Sequence, residues 1–217
     1  MVGPLLVKQR GGMSVRMEPV RDGFFDRPTL ELAQVLLGML LVCVTEEGAA
    51  AGRIVETEAY IGPEDRAAHS CGNRRTPRTE VMFGPPGRAY VYVMHTHSLF
   101  NVTSGKEGKP EAVLVRAVEP VLGLELMRAR RGPVKRPYDL TNGPGKLTKA
   151  LGITKADYGR PLTAPPLFIA QGRPAEAVAC GPRIGIEGSG EARFYPWRFW
   201  EAGNPYVSGG RGAAARE

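Results

Sequence analysis

From residue 26 the run DRPTLELAQVLLG places Leu30, Ala33, Leu36 and Leu37 at helical spacing, with Pro28 tolerated in a first turn. The spacing predicts a helix over 26–38 that Gly38 ends. Segments 39–44 and 52–60 are rich in β-branched residues and are separated by EEGAAA, so they read as neighbouring strands joined by a turn. AYVYV (89–93) and AVLVRAV (112–118) add two strands. PVLGLELMRARR (120–131) reads as an amphipathic helix whose basic end suits its dipole, and GKLTKALGI (145–153) as a short basic helix. LFIA, RIGIE and RFYPWRFW read as further strands. Between 61 and 87 runs a long loop rich in Gly, Pro and Arg, and a loop of that length is usually functional.

Strands and helices are thus mixed without a regular βαβ alternation, without an internal repeat and without a dividing linker, which predicts one α+β domain. The 217 residues suffice for a sizeable core, and 42% hydrophobic with 24% charged residues excludes a disordered or fibrous chain. Residues 1–20 are basic and Gly-rich and the end of the chain is rich in Gly and Ala, so tails over 1–20 and 209–217 are expected to be flexible, flanking a folded unit over 21–208. Met13 and Met17 are alternative start sites.

The charge changes the picture more. Lys and Arg number 29 against 22 Asp and Glu, a formal net charge of +7, and such a field favours polyanions, nucleic acid first. Three separated cysteines (Cys43, Cys71, Cys180) without a CxxC pair argue against a disulfide framework or a structural zinc site and suit a reducing cytoplasm. The longest apolar stretch, 33–44, is too short to span a bilayer, and the N-terminus has its basic residues after its apolar piece, the reverse of a signal peptide. No membrane role is expected.

Two tempting motifs fail. NGPGKLT (142–148) lacks the first glycine of a phosphate-binding loop, since Leu140 stands there, and GIEGSG (185–190) has its glycines in the wrong order for a dinucleotide fingerprint. His95 and His97, with His69 or a carboxylate, form at most a weak metal motif. RIVETEAY (53–60) is more informative: strand alternation puts Glu56, Glu58 and Tyr60 on one face and Val55, Thr57 and Ala59 on the other. Two carboxylates then lie about 7 Å apart beside an aromatic ring. They are either a wet or Arg-paired face, or a site in which one Glu activates water and the other is held in a hydrogen-bond network.

ETEAYIGPEDRAAHS (56–70), RRTPRTEVMFGPPGRAYVYV (74–93), VLVRAVEPVLGLELMR (113–128) and GPGKL (143–147) closely resemble the alkyladenine DNA glycosylase family, the 3-methyladenine DNA glycosylases of the mammalian type. The likeness runs from about residue 24 to 208. It implies a curved, mostly antiparallel sheet with surrounding helices and a protruding β-hairpin. It also implies a base-excision repair enzyme that flips an alkylated purine (3-methyladenine or 7-methylguanine) out of double-stranded DNA and hydrolyses its N-glycosidic bond, with hypoxanthine as a neutral lesion making the heavier demand. Such an enzyme needs basic residues for phosphates, a wedge for the vacated gap and a pocket of flat side chains.

Carried over by motif, Glu58 is the general base, Arg116 helps hold the attacking water, and Glu56 stands behind them. Tyr60, His69 and Tyr92 sandwich the flipped base, and Asn101 discriminates against undamaged guanine. Arg74, Thr76, Arg78, Lys146 and the Gly143 backbone contact phosphates. The sequence departs from the family in VMHTHSLFN (93–101), one residue shorter, with His95 at the wedge position and His97 as its alternative. No Lys stands where a Schiff base would form, so a monofunctional glycosylase without lyase activity, metal or cofactor is expected. The expected protein is a monomer, cytoplasmic and nucleoid-associated, or nuclear in a eukaryote, and hands its abasic product to downstream processing enzymes. A non-catalytic nucleic-acid-binding module and a metal-dependent hydrolase are the rival readings.

Overall fold

The computed structural model describes residues 5–8 and 14–209. Two short strands, β1 (Leu5–Lys8) and β2 (Ser14–Met17), pair antiparallel and lay Val7 and Met17 onto Val42, Ala49 and Phe168. Residues 5–8 and 14–17 of the expected N-terminal tail form this ribbon; residues 210–217 of the expected C-terminal tail lie outside the described residues. Helix α1 (Thr29–Val35) is shorter than the hydrophobic spacing suggests, because Pro28 stands before its first turn and the chain turns at Leu36 to reach Gly38, which has φ +90°.

The rest is built around one long strand. After β3 (Leu40–Thr45), β4 (Gly48–Ile61) pairs along its first half with β3 and along its second half with β10 (Arg198–Glu201), while β7 (Glu111–Leu122) covers its other edge from Ala51 to Ile61. Outward from β7 lie β6 (His97–Ser104) and β5 (Ala89–Met94); β8 (Leu167–Ala170) pairs with β3, and β9 (Val178–Gly181) with β10. All these pairings are antiparallel, and the expected α+β class is what the structure has. Strand β6 went unseen in the sequence because His95 and Thr96 make so tight a turn that no loop composition marks it.

Helices α1, α2 (Leu124–Arg131) and α3 (Pro144–Leu151) all cover one face of the sheet, where Leu32, Leu36, Met127, Leu147 and Leu151 pack on Ile54, Phe100, Val102 and Val115. The helix expected over 120–131 begins late: β7 continues to Leu122, and Gly123, φ +74°, breaks it where a Cβ would sit 2.4 Å from the Ala49 carbonyl. RIGIE is not a strand; its place beside β10 is taken by β9, and 183–186 instead form a loop on the uncovered face. Of RFYPWRFW only β10 is a strand, preceded by a 3-10 turn over Gly190–Phe194.

Candidate active site

Two bulges set the site. In β4, Ile54 pairs with Val118 and Glu56 with Ala117, so Val55 is an extra residue; in β7, Arg116 is extra between Val115 and Ala117. Ile54, Ala59, Val115 and Val118 consequently face the helices, whereas Glu56, Glu58, Tyr60 and Arg116 face the opposite side. Val55 joins that opposite side, packing on Ala117 and Trp200, which corrects the strict alternation expected for it.

Both carboxylates are fully buried, yet they are held differently. Glu56 Oε1 accepts from Arg116 Nε (3.0 Å), Arg198 Nε (2.7 Å) and Ser208 Oγ (2.8 Å), and Oε2 from the Ser208 amide (2.6 Å). Glu58 Oε1 lies 3.2 Å from Arg116 Nη1 and accepts the Ile184 amide at 2.8 Å, while Oε2 accepts the Tyr60 hydroxyl at 2.8 Å. Glu56 is thus saturated by two guanidinium groups and one serine, while Tyr60, Arg116 and Ile184, the partners of Glu58, all line a cavity of about 310 Å³. That volume is at the lower end of ligand clefts.

Burial alone would lower the Arg116 pKa, but the charges of Glu58 and Glu56 outweigh it and raise it, so the guanidinium is permanent. Burial, then the neighbouring Glu58, pushes Tyr60 well above the usual phenol range and Tyr92 up to about 12. Both rings are neutral donors at neutral pH. Burial lowers His69 to about 4, with Arg78 and Arg74 adding to the shift, so this imidazole is neutral as well. Its Nδ1 lies 2.8 Å from the Tyr90 hydroxyl.

The cavity gathers five residues singled out in the sequence, Tyr60, His69, Tyr92, Asn101 and Arg116, from β4, the 61–87 loop, β5, β6 and β7. His69 meets Tyr92 edge-on, ring centroids 4.7 Å apart, and Asn101 is oriented by donating to the Tyr90 carbonyl at 3.0 Å. Tyr90, Met82, Leu99 and Leu114 complete the walls without having been singled out. Tyr90 was legible as the same-face neighbour of Tyr92 on β5; Ile184 carried no signal, since its contribution is a backbone amide. Glu58 itself reaches the cavity through its partners.

The remaining candidates lie outside the cavity lining. His95 is exposed at the β5–β6 tip with φ +56°, while His97 packs against α3, where a Cβ on Gly145 would sit 2.8 Å from it. Arg74 and Arg78 are exposed in the 61–87 loop, Arg78 stacking 5.9 Å over the Tyr92 ring. Thr76 starts the next turn there, accepting from the Thr79 amide. Lys146 and Gly143 stand at the start of α3, Lys146 held by Asn142 Oδ1 at 2.7 Å. Among the described residues no three His, Cys, Asp or Glu side chains are grouped to hold a metal, and no helix is long and apolar enough to cross a membrane.

A family model described as methylpurine-DNA glycosylase matches residues 23–205. The chain belongs to the methylpurine-DNA glycosylase family. It is 63% identical over 196 residues to a Bacillus licheniformis protein, covering 90% of this chain and 100% of that one, and 59% identical to one from Bacillus subtilis strain 168 with the same coverage. It is 45% identical over 191 residues to a Listeria monocytogenes protein, covering 88% of this chain and 92% of the relative. All three are provisionally named 3-methyladenine DNA glycosylases. For a methylpurine-DNA glycosylase the asymmetry of the two glutamates matters: only Glu58 has its whole set of partners on the cavity wall.

Proposed function

We propose that this glycosylase takes an alkylated purine, rotated out of duplex DNA, into the ring-lined cavity and hydrolyses its N-glycosidic bond with water activated by Glu58. One observation carries the reading: a buried carboxylate gripped by Arg116, Tyr60 and the Ile184 amide stands directly behind a cavity walled by neutral aromatic rings. Glu58 accepts a proton from the water as its oxygen bonds to the anomeric carbon, and the base departs with the electrons of the broken bond. Its charge also stabilises the oxocarbenium character of the sugar, and Arg116 holds the water in place.

A 3-methyladenine or 7-methylguanine already bears a positive charge and leaves neutral, so it needs no general acid; electron-rich faces of Tyr60 and Tyr92 favour stacking on such a cation. A neutral hypoxanthine makes the heavier demand. Asn101 supplies an amide that rejects the exocyclic amino group of guanine. His95 fills the gap left in the stack, because it stands at the very tip of the turn; His97 is exposed too, but the base of its side chain lies against Gly145 of α3. Arg74, Thr76, Arg78, Lys146 and the Gly143 backbone hold phosphates, giving affinity without sequence preference. The enzyme acts as a monomer, without cofactor or lyase activity, and leaves an abasic site for other repair enzymes.

The test is single-turnover release of free base from methylated duplex DNA and from a hypoxanthine-containing duplex, with EDTA present, for the wild type and Glu58→Gln. Release of methylated purine that the variant loses is the expected result. Binding without release by the wild type would overturn the proposal in favour of a non-catalytic binding module.

A further inference from the structure

Arg183 is charged and buried with no exposed side-chain surface, and it neither lines the cavity nor touches Glu58 by its own side chain. Its fork is bidentate to Asp65, Nη1 to Oδ2 at 2.5 Å and Nη2 to Oδ1 at 2.8 Å. Nη1 also donates to the Ala59 carbonyl at 2.8 Å and Nη2 to the Ala192 carbonyl at 3.2 Å. The guanidinium carbon lies 4.7 Å from the centroid of the Tyr60 ring and 5.0 Å from that of the Trp197 ring. Its Nε is the one buried side-chain nitrogen or oxygen among the described residues without a hydrogen-bond partner.

Stability does not explain this arrangement, because a buried ion pair with an orphaned donor is a poor substitute for apolar packing of the same volume. Geometry does. Ala59 sits between Glu58 and Tyr60 on β4, and Ile184, the residue after Arg183, gives its amide to Glu58. Asp65 in turn accepts the amides of Ile61 and Ala67, fixing the loop that carries His69. We propose that Arg183, locked by Asp65, is a positioning residue that holds the Glu58 carboxylate and the Tyr60 ring in register for base release. A guanidinium is needed because only a rigid planar fork serves a carboxylate, two carbonyls and two ring faces together.

The inference rests on the glycosylase reading above. Its test compares the wild type, Arg183→Lys, and the double variant Asp65→Asn with Arg183→Gln, which removes both charges and strands neither. Three quantities are measured: thermal unfolding, affinity for a duplex bearing a tetrahydrofuran abasic analogue, and release of 7-methylguanine from methylated duplex at saturating enzyme. A misplacement of about 1 Å at the reacting groups is worth roughly 100-fold in rate. We expect release to fall on the order of that factor in both variants, with analogue affinity within about threefold of the wild type, since the phosphate-binding arginines are untouched. Folded variants that release base at the wild-type rate overturn the proposal, as does a loss of rate that merely follows unfolding or weakened binding. Wild-type protein that binds the analogue but releases no base would instead overturn the functional reading beneath it.

Discussion

The two faces of the sheet are built from the same strands and solve opposite problems. On the helix-covered face Ile54, Phe100, Val115, Val118 and Leu147 bury only apolar atoms, so nothing needs a partner and size alone sets the packing. On the other face Glu56, Glu58, Arg116, Arg183 and Arg198 are also buried, and each is placed by what neutralises it. The first face supplies stability; the second spends some of it on holding charges in fixed places. The cluster of paired buried charges beside the cavity is what the proposed chemistry draws on.

The comparison breaks most sharply at Glu58. Glu58→Gln keeps size and burial but removes the proton acceptor, and a general base is worth about 10²–10⁴-fold. Base release should fall by that factor in single-turnover assays while melting temperature moves little; an equal loss of folding would erase the distinction between the faces. Glu56→Ala should act first on folding. It strands Arg198 and leaves Arg116 with Glu58 alone, and breaking a buried pair costs about 3–5 kcal/mol, measurable by urea unfolding. On the apolar face Leu147→Ala should cost about 2–5 kcal/mol through its cavity, with the release rate per folded molecule unchanged.

A subtler difference is in pH. His69 titrates at about 4 in the folded chain against an ordinary value of 6.5, so below pH 6.5 the unfolded state binds more protons. Its contribution to stability is fully present above 6.5 and is lost as pH falls towards 4. His69→Gln should therefore flatten part of the drop in melting temperature between pH 6.5 and 4 relative to the wild type. The smallest effect belongs to the rim: Arg74→Ala or Arg78→Ala should each reduce the salt dependence of duplex binding by about one unit of log–log slope, without altering release at saturating enzyme.

Much of this was legible in advance, but unevenly. Helix α3, strands β3, β5, β7 and β8, and the face shared by Glu56, Glu58 and Tyr60 follow from residue spacing. The β4 bulge was not legible, because Val55 is as good a strand residue as any; only its register against β7 shows that it is extra. RIGIE misled for a related reason: its alternation is that of a strand, but Arg183 is drawn to Asp65, 118 positions away, and that pull outweighs local preference. The packing of His97 beside Gly145 on α3 likewise depends on a residue 48 positions away.

By itself the sequence determined the chemistry available: a basic chain, two glutamates and a tyrosine on one strand face, and motifs spaced as in a glycosylase family. It determined the α+β class as well, because hydrophobic periodicity is a local property. The tertiary structure decided which glutamate has its partners on a cavity wall, which is saturated by arginines, and which ring is held by Arg183. Those outcomes depend on pairs far apart in the chain, since a buried charge is stable only beside a partner that folding brings to it.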